Sequence, residues 1–475
     1  MSYMIISHTF VSSQQAYCCY SKCTCNVDRN IVALPANRLI SPKNFIESKH
    51  LLAQSFKVYL DKIGFHYSWI MAAMVFLFTL ATSSIGNAPQ ILILPITEAH
   101  GWNISDVSLA TGLMYFMTAL LCPIGAPLML RIGVINVVLI VILLEIVGLL
   151  CTVLAYEKWH LLFSIGLCLG IASGIIGLGL AATVATRWFT ARRGLVVGIM
   201  TSAFAAGQLI FMPLMAWITT AYNWQFAIAP GLIGGIICGI LFLLFGKDWP
   251  SQLNLAAYGD DEIYYPPTEN PGNAITISVR ALAGAINNPA FWILTITFFI
   301  CGLTSTGIVG QHFIPFCADN NVGIIMASSY LALMGFFNFI GTMGSGWLSD
   351  RYDNYKLLAI YYGLRGLSLF YLPYSNFDIY SLTLWAIFFG LDFIATVPPT
   401  VKLSGKFFGK VNGPIVFGWI FGAHQLGSAV AAYGTGLSRD LLSTYVPAFL
   451  LAGLACFVAT ALFFYLISFR PKFSY

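Results

Sequence analysis

The sequence predicts an all-α integral membrane protein of twelve transmembrane helices in two pseudo-symmetric six-helix bundles, and three observations carry that reading. Apolar stretches of about 20 residues, the length that crosses a hydrocarbon core of about 30 Å, recur along the chain after residue 65. The 475 residues are 58% hydrophobic and 9% charged, whereas soluble domains carry roughly a quarter charged residues, so lipid is the solvent for most of the chain. The second half also repeats features of the first at a near-constant offset.

The elements follow in chain order. Residues 1–65 are polar, lack the apolar core and cleavage site of a signal peptide, and are expected to form a disordered cytoplasmic tail. Residues 66–246 hold the first bundle, with spans from Ser68 to Ile96, Val107 to Leu130, Val134 to Tyr156, His160 to Ala185, Gly194 to Thr220 and Gln225 to Phe245. Residues 247–288 contain Asp260, Asp261, Glu262, Pro266, Pro267 and Pro271; a segment this polar and proline-rich reads as a cytoplasmic linker without a core. Residues 289–470 hold the second bundle, with spans from Pro289 to Cys317, Val322 to Leu348, Tyr355 to Tyr374, Ile379 to Val401, Pro414 to Leu437 and Tyr445 to Phe469; residues 471–475 form a short tail. A β-barrel would alternate over ten-residue segments, so helices are the structure that satisfies the backbone here.

Orientation follows from Lys and Arg. With both termini inside, all 23 basic residues fall on the inner side except Lys158, Arg439 and the intramembrane Arg365, which predicts cytoplasmic termini in a plasma or inner membrane. The basic residues are scattered rather than gathered on one face, which argues against a nucleic-acid partner. Cys18, Cys19, Cys23 and Cys25 lack the paired spacing of a zinc site, and the other cysteines fall mainly inside apolar spans, so neither metal nor disulfide framework is expected. With no phosphate-cradling loop, nucleophile motif or metal constellation, the sequence predicts neither an enzyme nor a cofactor.

The repeat lies at an offset of 219 to 221 residues. Ser84, Gly86 and Gln90 match Ser305, Gly307 and Gln311; Arg131 matches Arg351; Arg187-Trp188-Phe189 and Gly194 match Lys406-Phe407-Phe408 and Gly413; Gly207 matches Gly427. Two bundles related by an axis along the membrane normal place a cavity at their interface, which rocking of one half against the other exposes alternately.

Gly346-Trp347-Leu348-Ser349-Asp350-Arg351 resembles the G-x-L-x-D-R loop motif of the major facilitator superfamily, and the resemblance extends over residues 66–470. It implies that Asp350 and Arg351 latch neighbouring helices on the inner side. In the first-half copy Arg131 and Gly133 are kept, but Leu130 stands where the motif has Asp, so that latch is expected to be weaker or differently made. Trp188-Phe189-x-x-Arg192-Arg193-Gly194-Leu195-x-x-Gly198 is similar to the helix 4–5 junction of the monocarboxylate-porter and oxalate/formate-antiporter branch. That branch implies coupled movement of small organic anions, often with protons. It also places a substrate-pairing Arg in the eighth helix, where this chain has the uncharged Asn338.

Ionisable groups near the bilayer centre cost roughly 2.5–3.5 kcal/mol even on the lenient insertion scale, so each requires a reason. Glu145, Arg365, Asp392 and His424 all lie about half-way along their spans. Glu145 and Arg365 are related by the repeat. The resemblance puts both on supporting helices and Asp392 on a cavity-lining one. Arg365 and Asp392 are expected to pair, either to organise the second half or to exchange partners during transport. Glu145 reads as a proton carrier or as a permanently protonated structural group. His424 and His312 suit a solute or proton role, or a satisfied interhelical bond. Gln90 and Gln311 are symmetry-related amides suited to orienting a polar solute. Arg192, Arg193, Lys406 and Lys410 read as topological charges or as an inner gate.

The function expected from these residues is alternating-access transport of a small polar solute, in the resemblance's terms a monocarboxylate or other small organic anion. The coupling ion is H+ and the functional unit a monomer in the lipid bilayer. Efflux of a drug or siderophore-like compound is the alternative within the fold, and a non-transporting membrane sensor the alternative outside transport.

Overall fold

The computed structural model describes residues 42–177, 179–265 and 273–468; the expectations for the N-terminal cysteine cluster, the rest of residues 1–41 and the 471–475 tail fall outside them. The chain divides into Met1–Glu47, of which only the start of one helix is described, and Ser48–Tyr475, which holds everything considered below. Every described element is helical apart from one isolated bridge between Phe189 and Tyr258.

The first half comprises α1 (Pro42–Lys62), α2 (Ser68–His100), α3 (Ile104–Ile132), α4 (Val134–Val153), α5 (Lys158–Trp188), α6 (Arg193–Ala221) and α7 (Trp224–Phe245). A linker helix, α8 (Ala274–Ala285), leads to the second half, α9 (Pro289–Asp319), α10 (Ile324–Arg351), α11 (Asn354–Tyr371), α12 (Ile379–Gly409), α13 (Asn412–Leu442) and α14 (Val446–Ser468). Among the described residues eleven helices are long and apolar enough to cross a membrane, against twelve expected. The segment expected as the ninth span is α11, whose 18 residues include Lys356, Arg365 and Tyr355, Tyr361, Tyr362 and Tyr371, and which falls short in apolarity rather than in helicity.

Helix starts are set by local chemistry. Asn288 accepts from the backbone N–H of Ala290 ahead of Pro289, Asp353 from Tyr355 and Asp378 from Ser381, so each side chain satisfies a donor that has no partner within its helix. Packing repeats between halves: α2 lies on α6 as α9 lies on α13, α3 on α5 as α10 on α12, and α4 on α7 as α11 on α14. The halves meet through α3 on α13 and α10 on α6. Gly207 and Gly427, matched in the repeat, do the same job. A Cβ on Gly207 would strike Ser83 of α2, and one on Gly427 would lie 2.1 Å from the carbonyl of Phe299 in α9.

Two sequence expectations are corrected. The tail was expected to be disordered to residue 65, yet Pro42–Lys62 is helical. Ala53, Phe56 and Leu60 recur at helical spacing; Ala53 and Leu60 are buried, and the Phe56 ring stands 5.1 Å from that of Phe245. A stripe this short is hidden when polarity is averaged over the whole tail. The linker was expected to pack no core, yet Leu253 is buried. Tyr258 also pairs with the α5–α6 junction: its N–H donates to Trp188, and its carbonyl accepts from Thr190 and Ala191.

The first-half loop is latched without a carboxylate at position 130. Arg131 is exposed, and Asp248 after α7 does the work, accepting from the Ile135 N–H at 3.1 Å. Its carboxylate lies over Gly133, where φ is +88° and a Cβ would come within 2.6 Å of it, so this turn requires glycine. Arg187, stacked 4.5 Å from the Trp249 ring, donates to the carbonyls of Met129 and Asp248.

Candidate functional site

Two polar clusters lie inside the bundle. The deeper one is built around a break in α12. Pro398 and Pro399 lack the N–H groups that would reach the carbonyls of Ile394 and Ala395, and the helix is interrupted as a turn at residues 393–396. The loosened carbonyls find partners elsewhere. Val397 N–H donates to Ile394, and Ser345 Oγ of α10 donates to Ala395 at 2.5 Å.

Arg365 of α11 closes the break from the other side. It is fully buried; Nε donates to Asp392 Oδ2 at 2.6 Å, one terminal nitrogen to the carbonyls of Asp392 (2.6 Å) and Phe393 (3.2 Å), and the other to Cys301 Sγ at 3.0 Å. A cation placed at the C-terminal end of a half-helix also meets the negative end of its dipole. Cys301 in α9 lies 3.2 Å from Thr396 Oγ1 and beside His424. His424 stacks on Phe421, with centroids 5.6 Å apart, and leans on Phe298 at 5.0 Å. Asp392 Oδ1 and His424 Nδ1 are buried without a protein partner. The cluster thus holds one permanent cation, one carboxylate with a free oxygen and an imidazole with a free nitrogen, a set able to hold and pass a proton.

The second cluster spans the two halves nearer the face where α2 and α9 end. Gln311 Nε2 of α9 donates to Tyr115 OH of α3 at 2.5 Å, and Gln90 Nε2 of α2 donates to Asn87 Oδ1 at 2.9 Å. The Gln90 amide lies 4.0 Å from where a Cβ on Gly310 would stand, which brings it beside the α9 partner. Beyond them a cleft of about 730 Å³ opens on that face, with Leu94, Pro95 and Glu98 of α2, Thr219 and Asn223, and Ala318 and Asn321 among its lining residues.

The remaining candidates are dispersed. His312 is buried with Nε2 2.7 Å from the carbonyl of Ala432, a satisfied interhelical bond. Glu145 is buried beside Cys238 of α7, on the packed pair α4–α7. Asp350 is held by Lys402 at 2.8 Å rather than by Arg351, whose guanidinium lies 3.9 Å over the Trp347 ring. Arg192 is exposed with φ +58° ahead of α6; the side chains of Arg193 and Lys410 lie outside the description. Lys406 sits 5.8 Å from the Tyr355 ring. Sequence reasoning missed Cys301, Thr396, Tyr115 and Asp248. It also passed over Asn87, which accepts from Gln90 and, standing three residues before it on one helix face, carried a readable signal.

A membrane-spanning helical bundle of two packed halves, with polar groups inside it and along its seam, is the architecture of a transporter family. The sequence profile of the Major Facilitator Superfamily matches residues 69–432, and the chain belongs to that family. It is 25% identical over 406 residues to the uncharacterized MFS-type transporter YcxA of Bacillus subtilis (strain 168), covering 80% of this chain and 90% of that one. It is 22% identical to monocarboxylate transporter 12-B of Danio rerio, covering 84% and 86%, and 24% identical to the oxalate:formate antiporter of Oxalobacter formigenes, covering 62% and 66%. Among solved structures, a bacterial homolog of the human lysosomal transporter Spinster, inward-facing and unoccupied, superposes with a TM-score of 0.65 at 14% identity, covering 86% of this chain and 98% of that one.

Proposed function

We propose that this protein is a proton-coupled secondary carrier of a small polar solute, of the monocarboxylate or small-organic-anion class, working by alternating access with both termini cytoplasmic. The observation that carries the reading is the Arg365–Asp392 cluster: Asp392 is buried at a helix break with one oxygen paired and the other free. The free oxygen gives a proton a place to bind, and because protonation leaves buried Arg365 without its counter-ion, holding only its bonds to the backbone carbonyls and Cys301, proton binding is coupled to rearrangement of the pair. The names of the relatives support the solute class. Repetition of helix packing in the two halves supports rocking about the α3–α13 and α10–α6 contacts.

The test is uptake into liposomes by the purified protein, across labelled carboxylates, amino acids and dyes, with and without a pH gradient. Carboxylate uptake that rises with an imposed proton gradient is expected. Asp392→Asn is expected to keep solute exchange and lose gradient-driven accumulation; accumulation equal to wild type in that variant would remove Asp392 from the coupling scheme. Uptake of dyes alone would support the efflux reading.

A further inference from the structure

Among the described residues, the seam at Gln90, Tyr115 and Gln311 offers free hydrogen-bond acceptors, and no Lys or Arg is bonded to these three. Gln90, Tyr115 and Gln311 are 5%, 7% and 1% exposed, so what they lack cannot be supplied by bulk water. The orientation of the Gln90 amide is dictated by a chain of bonds. Asn87 Nδ2 donates to the carbonyl of Ser83 at 2.7 Å, which leaves Oδ1 to accept, and Gln90 must therefore present its nitrogen. Gln90 Oε1 is then an acceptor with no protein partner. Gln311 Oε1 is in the same condition, since its nitrogen donates to Tyr115. The Tyr115 hydroxyl accepts that bond and keeps its own proton to give.

Access and charge complete the picture. Leu94, which lines the cleft, stands one turn beyond Gln90, about 6 Å along the helix. Two cations of the second half, Arg439 and Arg365, are engaged elsewhere. Arg439 is held by both oxygens of Asp319, at 2.6 and 3.1 Å. Arg365 touches α9 at Cys301, ten residues or roughly 15 Å from Gln311, and is bound to Asp392. His312, next to Gln311, turns to the Ala432 carbonyl on α13. An anionic group seated among the trio would face two amide oxygens with no counter-charge, whereas hydroxyl groups satisfy both.

We infer that Gln90, Tyr115 and Gln311 form a solute subsite that selects for an uncharged, hydroxyl-bearing part of the solute, with two O–H donors to the amide oxygens and one acceptor to Tyr115. This rests on the transporter reading and specifies, within it, what the solute must carry at this point. A site built to meet a hydroxyl discriminates strongly against the analogue that lacks it, because its own buried groups are then left unpaired.

The experiment uses full-length protein and matched solute pairs that differ by one hydroxyl: a hydroxy acid and its deoxy acid, a polyol and its deoxy form. Uptake into liposomes and protection of the detergent-solubilised protein against heat are both measured. Wild type is expected to favour the hydroxylated member by about tenfold or more in both readouts. Gln90→Met and Gln311→Met are expected to bring the ratio towards one, and Tyr115→Phe, which removes a single oxygen, to lower it. Equal treatment of the two members by wild type, or a ratio unchanged in all three variants, overturns the subsite. Protection by the hydroxylated members without any uptake leaves the subsite standing and overturns the transport reading instead.

Discussion

Arg365 donates from all three of its nitrogens, and two of its acceptors are main-chain carbonyls at the α12 break. The residue is therefore first a part of the architecture. Removing Asp392 alone leaves a buried guanidinium short of its counter-ion, so Asp392→Ala is expected to destabilise the protein by about 3–5 kcal/mol. Replacing both, Arg365→Met with Asp392→Leu, is expected to recover much of that loss, read as thermal stability in detergent. Equal stability of the single variant and wild type would show that the pair does not hold the break. At the same scale, Ser345→Ala leaves the Ala395 carbonyl without its donor, and a loss of about 1–3 kcal/mol is expected.

Among the helices, α9 and α13 approach backbone to backbone. A Cβ on Gly302 would stand 1.8 Å from the His424 carbonyl, and one on Gly427 would stand 2.1 Å from that of Phe299. Both obstacles are backbone, which cannot rotate away. Gly302→Ala and Gly427→Ala are each expected to cost about 1–3 kcal/mol or more and to shift His424 relative to Cys301. Gly284→Ala in α8 has nothing within 4 Å and is the control, expected to be neutral or slightly stabilising. Thermal unfolding of the three variants side by side checks this, and a Gly284 variant as unstable as the others would refute the packing argument. The linker helix belongs to this scale too: Ser278 Oγ of α8 donates to the Pro123 carbonyl in the first half, and the Trp419 indole of the second half donates to the Ser278 carbonyl. The two halves are thereby strapped together on the face where the linker lies.

Across the whole molecule, the halves also meet at the opposite face, where the Asp440 carboxylate of α13 accepts from the N–H of Ser105 at the start of α3. An anion at a helix N-terminus contributes about 0.3–1 kcal/mol at an exposed site. Alternating access requires this contact to break when the cleft widens. Asp440→Ala is expected to favour the open cleft roughly two- to fivefold, read as faster alkylation of a cysteine introduced at Thr220, which lines it. An unchanged alkylation rate would mean that Asp440 takes no part in closing that side.

How much of this was legible follows from the range of the signals. The helical fold class and the family were readable because span length and the repeat are local or periodic properties that lipid imposes on the sequence itself. The special standing of Arg365 and Asp392 was readable for the same reason, since a charge at mid-span is conspicuous wherever it points. What each charge touches depends on helix rotation and on which helices are neighbours, and neither is written in the order of residues. Only the tertiary structure brings Cys301 and His424 to Arg365, sets Tyr115 against Gln311, lets Arg187 and Asp248 tie down the loop that lacks a carboxylate at Leu130, and sets Glu145 beside Cys238. The sequence by itself determined which residues are costly to bury; packing of the helices decided which of them share that cost.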